Sequence, residues 1–137
     1  MKAYLAKKFH ADYEDRDTIE RISDALRNAG IETVVMARDL DKWGEIRFAP
    51  RELMLKTFAA IDGSDMLIVE FSEKGVGLGI EAGYAYAKGI PVFVIAKSGS
   101  EISDTIKGIA KAIFFYENLP EIAKCFATIH ETPDVSA

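Results

Sequence analysis

The sequence is poor in cysteine, in histidine and in long apolar runs, and each scarcity narrows the possible functions. Its single cysteine, Cys125, cannot form an internal disulfide, which predicts a reducing, cytoplasmic setting. Two isolated histidines and no carboxylates at ligand spacing predict no metal site, and we expect no cofactor. No apolar run approaches the roughly 20 residues of a membrane span, so we expect no membrane association. The net charge is −5 and no basic stripe is present, so duplex nucleic acid is not an expected partner.

Short apolar runs alternate with amphipathic segments along the chain. Five runs are typical of buried strands: 3–6, 32–36, 66–71, 92–96 and 113–116. Segments with helical periodicity follow them: 15–28, 50–61, 80–88, 103–110 and 120–128. The polar segment 38–48 is expected to be a loop. The alternation predicts one α/β domain over residues 1–131, a flavodoxin-like (Rossmann-like) five-stranded parallel sheet in the order 2-1-3-4-5 with helices on both faces. Residues 132–137 are expected to form a frayed tail.

A glycine-rich segment, residues 75–85, joins the third predicted strand to the helix that follows. It reads Gly-Val-Gly-Leu-Gly-Ile-Glu-Ala-Gly-Tyr-Ala. A turn of this kind lets a ligand approach the backbone closely, and the first helical amides favour anions. We expect Glu81 in the first turn of a helix that starts near Ile80, where the helix dipole favours an ionised carboxylate. Ligands bind such sheets outside the carboxyl ends of the strands, so the loop 7–13 is expected to meet this segment.

One interpretation of the segment is a dinucleotide fingerprint. Gly77-Leu-Gly-Ile-Glu-Ala fits the pattern G-x-G-x-x-A, with a strand before it and a helix after it. That fingerprint normally follows the first strand, whereas this segment follows the third. The end of the fourth strand also lacks the acid that would hold a ribose hydroxyl, and Glu81 would place like charge near a pyrophosphate. A dinucleotide-dependent protein is therefore the less favoured alternative.

The same segment resembles the signature of a known enzyme family. Val76-Gly-Leu-Gly-Ile-Glu-Ala-Gly-Tyr-Ala is similar to the signature of the nucleoside 2-deoxyribosyltransferases and the 2'-deoxynucleoside 5'-phosphate N-hydrolases. Weaker likeness extends over residues 2–116, in Tyr4-Leu-Ala, Ser64-Asp65, Pro91-Val-Phe-Val-Ile and Ser103-Asp-Thr-Ile-Lys-Gly. The resemblance implies a flavodoxin-like enzyme that cleaves the N-glycosidic bond of a small-molecule nucleoside or nucleotide through a covalent ester.

The resemblance also implies roles for individual residues. Glu81 matches the nucleophile that attacks C1', and Tyr4 matches the tyrosine that orients it. The amides of Gly77 and Gly79 would line the sugar or its 5' group. Ser103 matches a position that contacts the 5'-phosphate in the neighbouring subunit's site, which implies a homodimer with shared active sites. Ser103 could instead simply cap its own helix.

The chain departs from the family's pattern at two positions. Gly75, a further candidate for substrate binding, stands where relatives carry an aspartate or serine, six residues before the nucleophile. Thr57 stands where relatives carry an aspartate that helps to protonate the leaving base. The nearby carboxylates that could replace that acid are Asp62, Glu70 and Glu73.

Two lysines, Lys7 and Lys8, follow the first strand where relatives tend to place a glycine or proline. They could bind a 5'-phosphate, which favours a nucleotide as the substrate. We therefore expect a hydrolase of a (deoxy)nucleoside 5'-monophosphate or nucleoside in preference to a base-exchange transferase. The altered positions leave open a catalytically weak nucleotide-binding module with the same fold.

Overall fold

Five strands form one parallel sheet within residues 1–127 and 129, which are the residues described by the computed structural model. They are β1 (Lys2–Lys7), β2 (Glu32–Val34), β3 (Met66–Glu70), β4 (Val92–Lys97) and β5 (Ala112–Tyr116). Their order is β2-β1-β3-β4-β5, and every neighbouring pair is parallel. The predicted fold class and strand order are confirmed. The predicted tail, residues 132–137, lies outside the described residues.

Five helices accompany the strands: α1 (Arg16–Asn28), α2 (Pro50–Asp62), α3 (Val76–Ala87), α4 (Asp104–Ile109) and α5 (Glu121–Ala127). Four of them begin within one residue of the predicted position; the predicted end of the last, residue 128, lies outside the described residues. The prediction for α3 is wrong, because the helix starts at Val76 and not near Ile80. The segment expected to be a glycine turn is thus largely the first turns of a helix. None of the helices among the described residues is long and apolar enough to cross a membrane.

The buried side chains form two clusters, one on each face of the sheet. On one face, α1 and α5 contribute Ile22 and Phe126, which pack with Ile68 of β3. On the other face, α2 and α3 contribute Ile61 and Leu78, which pack with strand residues such as Val69. Successive strand residues alternate between the two clusters, as the pleat requires. At the end of β3 this alternation sends Glu70 towards the α1/α5 face, whereas Phe71 packs on the α2/α3 face.

The segment between β2 and α2, predicted to be a loop, contains two short turns. Strand β2 ends at Val34, a π-helical turn spans Met36–Leu40, and a second turn spans Lys42–Gly44. Among the described residues, left-handed backbone at non-glycine positions occurs at Tyr13 (φ 55°), Lys42 (φ 50°) and Trp43 (φ 56°). Such conformations cost about 1–3 kcal/mol each and cluster at functional sites. Gly44 completes the turn, since a Cβ there would lie 2.9 Å from the Tyr13 ring.

Candidate active site

Tyr4 and Glu81 meet on the α2/α3 face of the sheet. The Tyr4 hydroxyl donates a hydrogen bond to Oε1 of Glu81 at 3.1 Å and joins β1 to α3. Tyr4 is 1% exposed and its ring belongs to the core, whereas Glu81 is only partly buried. Burial, followed by the charge and hydrogen bond of Glu81, holds the pKa of Tyr4 well above its usual value. Tyr4 therefore remains a hydrogen-bond donor to the carboxyl group over the whole physiological range.

The protonation of Glu81 differs from the prediction. Burial raises the pKa of Glu81 to about 7, and the hydrogen bond from Tyr4 lowers it only in part. The sequence predicts a carboxylate in the first turn that the helix dipole keeps ionised. Because α3 begins at Val76, Glu81 lies in the second turn, where the dipole contributes little. Near neutral pH the group therefore exists both as the neutral acid and as the carboxylate.

Thr57 of α2 borders the Tyr4–Glu81 pair. It is 1% exposed, and its hydroxyl donates to the carbonyl of Leu53 at 2.8 Å. Side-chain hydrogen bonding with Thr57 also lowers the pKa of Tyr4. The position that resembles the family's aspartate therefore does face the pair. A threonine hydroxyl, however, is not a proton donor of carboxylic strength.

The three carboxylates considered as replacements are engaged elsewhere. Asp62 accepts a hydrogen bond from the hydroxyl of Tyr84 at 2.9 Å. Glu70 is 3% exposed on the α1/α5 face, where Ser72 and Tyr116 donate to it. Glu73 is exposed beside the loop after β1 and lies 3.3 Å from His10 and 3.9 Å from Lys8.

Sequence reasoning missed one carboxyl group, Asp41, between β2 and α2. The charge of Asp41 contributes to the raised pKa of Tyr4. Oδ2 of Asp41 accepts a hydrogen bond from the hydroxyl of Tyr13 at 3.3 Å. Burial raises the pKa of Asp41, and the hydrogen bond from Tyr13 opposes that rise. The sequence offered no signal for this residue, because its position depends on how the segment 36–44 folds back towards β1.

A groove of about 470 Å³ runs along the start of α3 and the start of α4. Gly75, Gly79 and Ser103 line it, together with Lys74 and Thr105, which sequence reasoning did not select. Gly77 lies on the exposed side of α3, outside the lining of the groove. Ser103 occupies the N-cap position of α4, but its side chain makes no capping hydrogen bond, so the capping interpretation is not supported. Tyr4 and Glu81 do not line the groove; α3 connects it to them.

The two lysines predicted to follow the first strand have different surroundings, because Lys7 is the last residue of β1 and only Lys8 follows it. Lys7 is drawn into an ion pair, its Nζ 3.0 Å from Oδ2 of Asp15 and its side chain 10% exposed. Lys8 is exposed, and its stem lies 3.6 Å from the point where a Cβ on Gly75 would be. Only Lys8 is therefore both accessible and close to the start of α3. Among the described residues, no group of three or more His, Cys, Asp or Glu side chains could hold a metal ion.

Comparisons with known proteins show relatives of this fold. No protein-family model matches the chain. A protein of Thermofilum pendens, assigned provisionally as 2'-deoxynucleoside 5'-phosphate N-hydrolase 1, is 30% identical over 114 residues, covering 80% of this chain and 78% of the relative. The structure of a 2-deoxyribosyltransferase from Bacillus psychrosaccharolyticus matches with a TM-score of 0.69 at 21% identity, over 90% of each chain. A CMP N-glycosidase of Clostridium botulinum matches with a TM-score of 0.68 at 17% identity, over 94% of this chain and 99% of that one.

The two solved structures share the fold, and the relative at 30% identity defines the class of the protein as an enzyme that acts at N-glycosidic bonds. More narrowly, the chain belongs to the family of the 2'-deoxynucleoside 5'-phosphate N-hydrolases and nucleoside 2-deoxyribosyltransferases. The resemblance found in the sequence is confirmed. Members of this family act on small nucleosides or nucleotides, by cleaving or by transferring.

Proposed function

We propose that the chain hydrolyses the N-glycosidic bond of a nucleoside 5'-monophosphate, with Glu81 as the nucleophile. The hydrogen bond from Tyr4 to Oε1 of Glu81, at 3.1 Å, is the observation that carries this proposal. It fixes one carboxylate oxygen and leaves the other free to attack C1' of a sugar. The pKa of Glu81, about 7, allows a substantial ionised fraction at neutral pH.

The proposed reaction has two steps. In the first, the free oxygen of Glu81 bonds to C1', the C1'–N bond breaks, and its electron pair leaves with the base. In the second, water attacks C1' of the glycosyl ester, Glu81 departs as a carboxylate, and the proton that the water loses balances the charge of the departed base. Hydrolysis is preferred to transfer because the provisional name of the Thermofilum pendens relative is that of a hydrolase.

The groove at the start of α3 supports a phosphorylated substrate. The first amides of this 12-residue helix favour an anion, and Lys74 adds a positive charge at the same end. Ser103 and Thr105 supply hydroxyl groups along the groove. Lys8 remains a candidate for the phosphate, whereas the charge of Lys7 is offset by Asp15. A 5'-monophosphate is therefore preferred to a free nucleoside.

The outer face of α3 supports a homodimer with shared sites. Val76, Ile80 and Tyr86 are 83%, 47% and 59% exposed, and Glu81 is the one charged residue of the helix. Exposed apolar patches of this kind mark interfaces. Ser103 lines the same groove as the start of this helix, so a second copy packed on α3 would lie beside it. Sedimentation should give a dimer for the wild type and a monomer for Ile80→Arg; a monomeric wild type would remove this part of the proposal.

Base release tests the proposal directly. The wild type is incubated with a panel of ribo- and deoxyribonucleosides and their monophosphates, and the free base is followed by chromatography. We expect release from at least one monophosphate, and a loss of about 10⁴-fold or more in Glu81→Ala. Glu52→Ala, which alters an exposed glutamate of α2, is the matched control and should keep wild-type activity.

A nucleotide-binding module of low activity is the second candidate, because a threonine and a glycine stand at positions 57 and 75. Tight binding of a monophosphate without base release from any substrate would favour it. A second base added to the mixture separates hydrolysis from transfer, since an exchanged nucleoside would show that the transferase interpretation is the right one.

A further inference from the structure

The loop after β1 and the segment after β2 pack together through aromatic rings. The Tyr13 ring meets Phe9 edge-to-face at 5.7 Å and Trp43 edge-to-face at 6.2 Å. We call Phe9, Tyr13 and Trp43 the aromatic cluster. Phe9 is 62% exposed, so one ring of the cluster is open to a ligand. Flat nucleobases stack on exposed rings of this kind.

Asp41 is hydrogen-bonded to this cluster, and its charge acts on Tyr4 of the catalytic pair. Its Oδ2 accepts the Tyr13 hydroxyl at 3.3 Å, and its backbone N–H donates to the carbonyl of Met36 at 2.9 Å. The sulfur of Met36 lies 3.3 Å from Oγ1 of Thr57, which borders Tyr4. A continuous path of contacts thus ties Asp41 to the group that orients Glu81.

The backbone around Asp41 is held in an uncommon conformation. Lys42 and Trp43, which follow it directly, and Tyr13, which donates to it, are all left-handed. Glycine at position 44 permits the close approach of the segment to the Tyr13 ring. Strain that is concentrated around one carboxyl group, and maintained by packing from a second loop, is typical of a functional residue.

We propose that Asp41 is the acid that protonates the departing base, in place of the aspartate that the family carries at position 57. This inference rests on the proposed function. As the C1'–N bond breaks, its electron pair moves onto the base, and the Asp41 carboxyl gives its proton to a base nitrogen. Asp41 becomes a carboxylate while Glu81 becomes an ester, so charge and protons balance. Water then releases the sugar from Glu81, and the proton lost by that water restores the acid on Asp41.

The electrostatics of Asp41 agree with this role. Burial raises its pKa, which favours the protonated carboxyl group that a donor needs. The hydrogen bond from Tyr13 acts in the opposite direction. The other groups that act here are Tyr4 of β1, whose hydroxyl feels the charge of Asp41, and Arg47, whose charge acts on Tyr13.

A pair of substrates isolates the proton transfer. One is the monophosphate that the wild type hydrolyses best. The other is the 4-nitrophenyl glycoside of the same sugar phosphate, whose nitrophenolate leaves without a proton. Asp41→Asn keeps the size of the side chain and removes the acid. We expect it to lose about 10²–10⁴-fold in kcat on the nucleotide and to keep nearly wild-type kcat on the nitrophenyl glycoside.

Two further variants complete the test. Glu45→Gln changes an exposed carboxylate of the same segment and should leave both rates unchanged. Tyr13→Phe removes the hydrogen bond that lowers the pKa of Asp41, so the alkaline limb of the nucleotide pH profile should move to higher pH. The nitrophenyl profile should be unchanged by this substitution, because that substrate needs no proton from Asp41.

The possible failures are distinguishable. Equal losses on both substrates in Asp41→Asn, or no loss on the nucleotide, overturn the role of Asp41 and leave the proposed function intact. Base release that survives Glu81→Ala, or a wild type that releases no base and no nitrophenolate, overturns the proposed function and this inference with it.

Discussion

Two glutamates close in sequence, Glu70 and Glu81, occupy opposite environments. Glu70 ends β3 on the α1/α5 face and is 3% exposed. It accepts the backbone N–H of Ser72 at 2.6 Å, the Ser72 hydroxyl at 2.9 Å and the Tyr116 hydroxyl. Glu81 lies on the α2/α3 face, and among the described side chains its recorded hydrogen-bond donor is Tyr4.

The contrast separates a carboxylate that three donors tie into the fold from the one that we propose as the nucleophile. The donors around Glu70 occupy its oxygens. Burial of Tyr116, together with its hydrogen bond to Glu70 and the charge of Glu70, keeps the pKa of Tyr116 well above the usual value. Glu81 has fewer donors, so burial dominates and raises its pKa to about 7. A perturbed pKa of this kind is the pattern expected of a functional carboxyl group.

Removing Glu70 should have the largest effect on stability. In Glu70→Ala, Tyr116 and Ser72 lose their acceptor in a buried position. We expect the free energy of unfolding to fall by about 4 kcal/mol. Urea denaturation measures this, with base release per folded molecule as the second readout. Full stability combined with lost activity would reverse the assignment of the two glutamates.

Removing the charge of Glu81 should raise the free energy of unfolding, in contrast to the loss expected for Glu70→Ala. The pKa of Glu81 rises from 4.5 to about 7 on folding, so ionisation costs stability as pH rises through this window. Glu81→Gln does not ionise, and we expect it to be more stable than the wild type at pH 8 by up to about 3 kcal/mol. Near pH 4, where the wild-type carboxyl group is neutral in both states, the difference should vanish. Thermal unfolding at the two pH values tests this, and a variant that is less stable at pH 8 would contradict it.

The fold could be predicted because its signals are local. Strands buried on both faces are continuous apolar runs, and their alternation with helices determines the class and, by default, the order. The start of α3 was missed because glycines obscured the spacing of Leu78, Ala82 and Ala85, which all pack into the core. That spacing is helical, and it begins before the predicted start at Ile80.

The sequence predicts the position of a site residue only where that residue belongs to the family signature or to a strand whose side chains alternate between the two faces of the sheet. The signature led to Glu81 and to Tyr4, which the structure brings into contact. Alternation along β1 places Tyr4 and Lys7 on opposite faces of the sheet, which explains why Lys7 pairs with Asp15 and lies apart from Glu81. Asp41 was beyond prediction, because a left-handed turn at Lys42 and Trp43 has no sequence signature comparable to glycine.

The smallest effect should come from Tyr4→Phe. The Tyr4 hydroxyl lowers the pKa of Glu81, so its removal should raise that pKa above about 7 and reduce the ionised fraction at neutral pH. We expect kcat to fall about tenfold at pH 7, the worth of one hydrogen bond to a charged group. Because the lost rate reflects protonation, most of it should return at pH 9, and the acidic limb of the pH profile should shift upwards. A loss of equal size at every pH would mean that Tyr4 orients the carboxylate without tuning it.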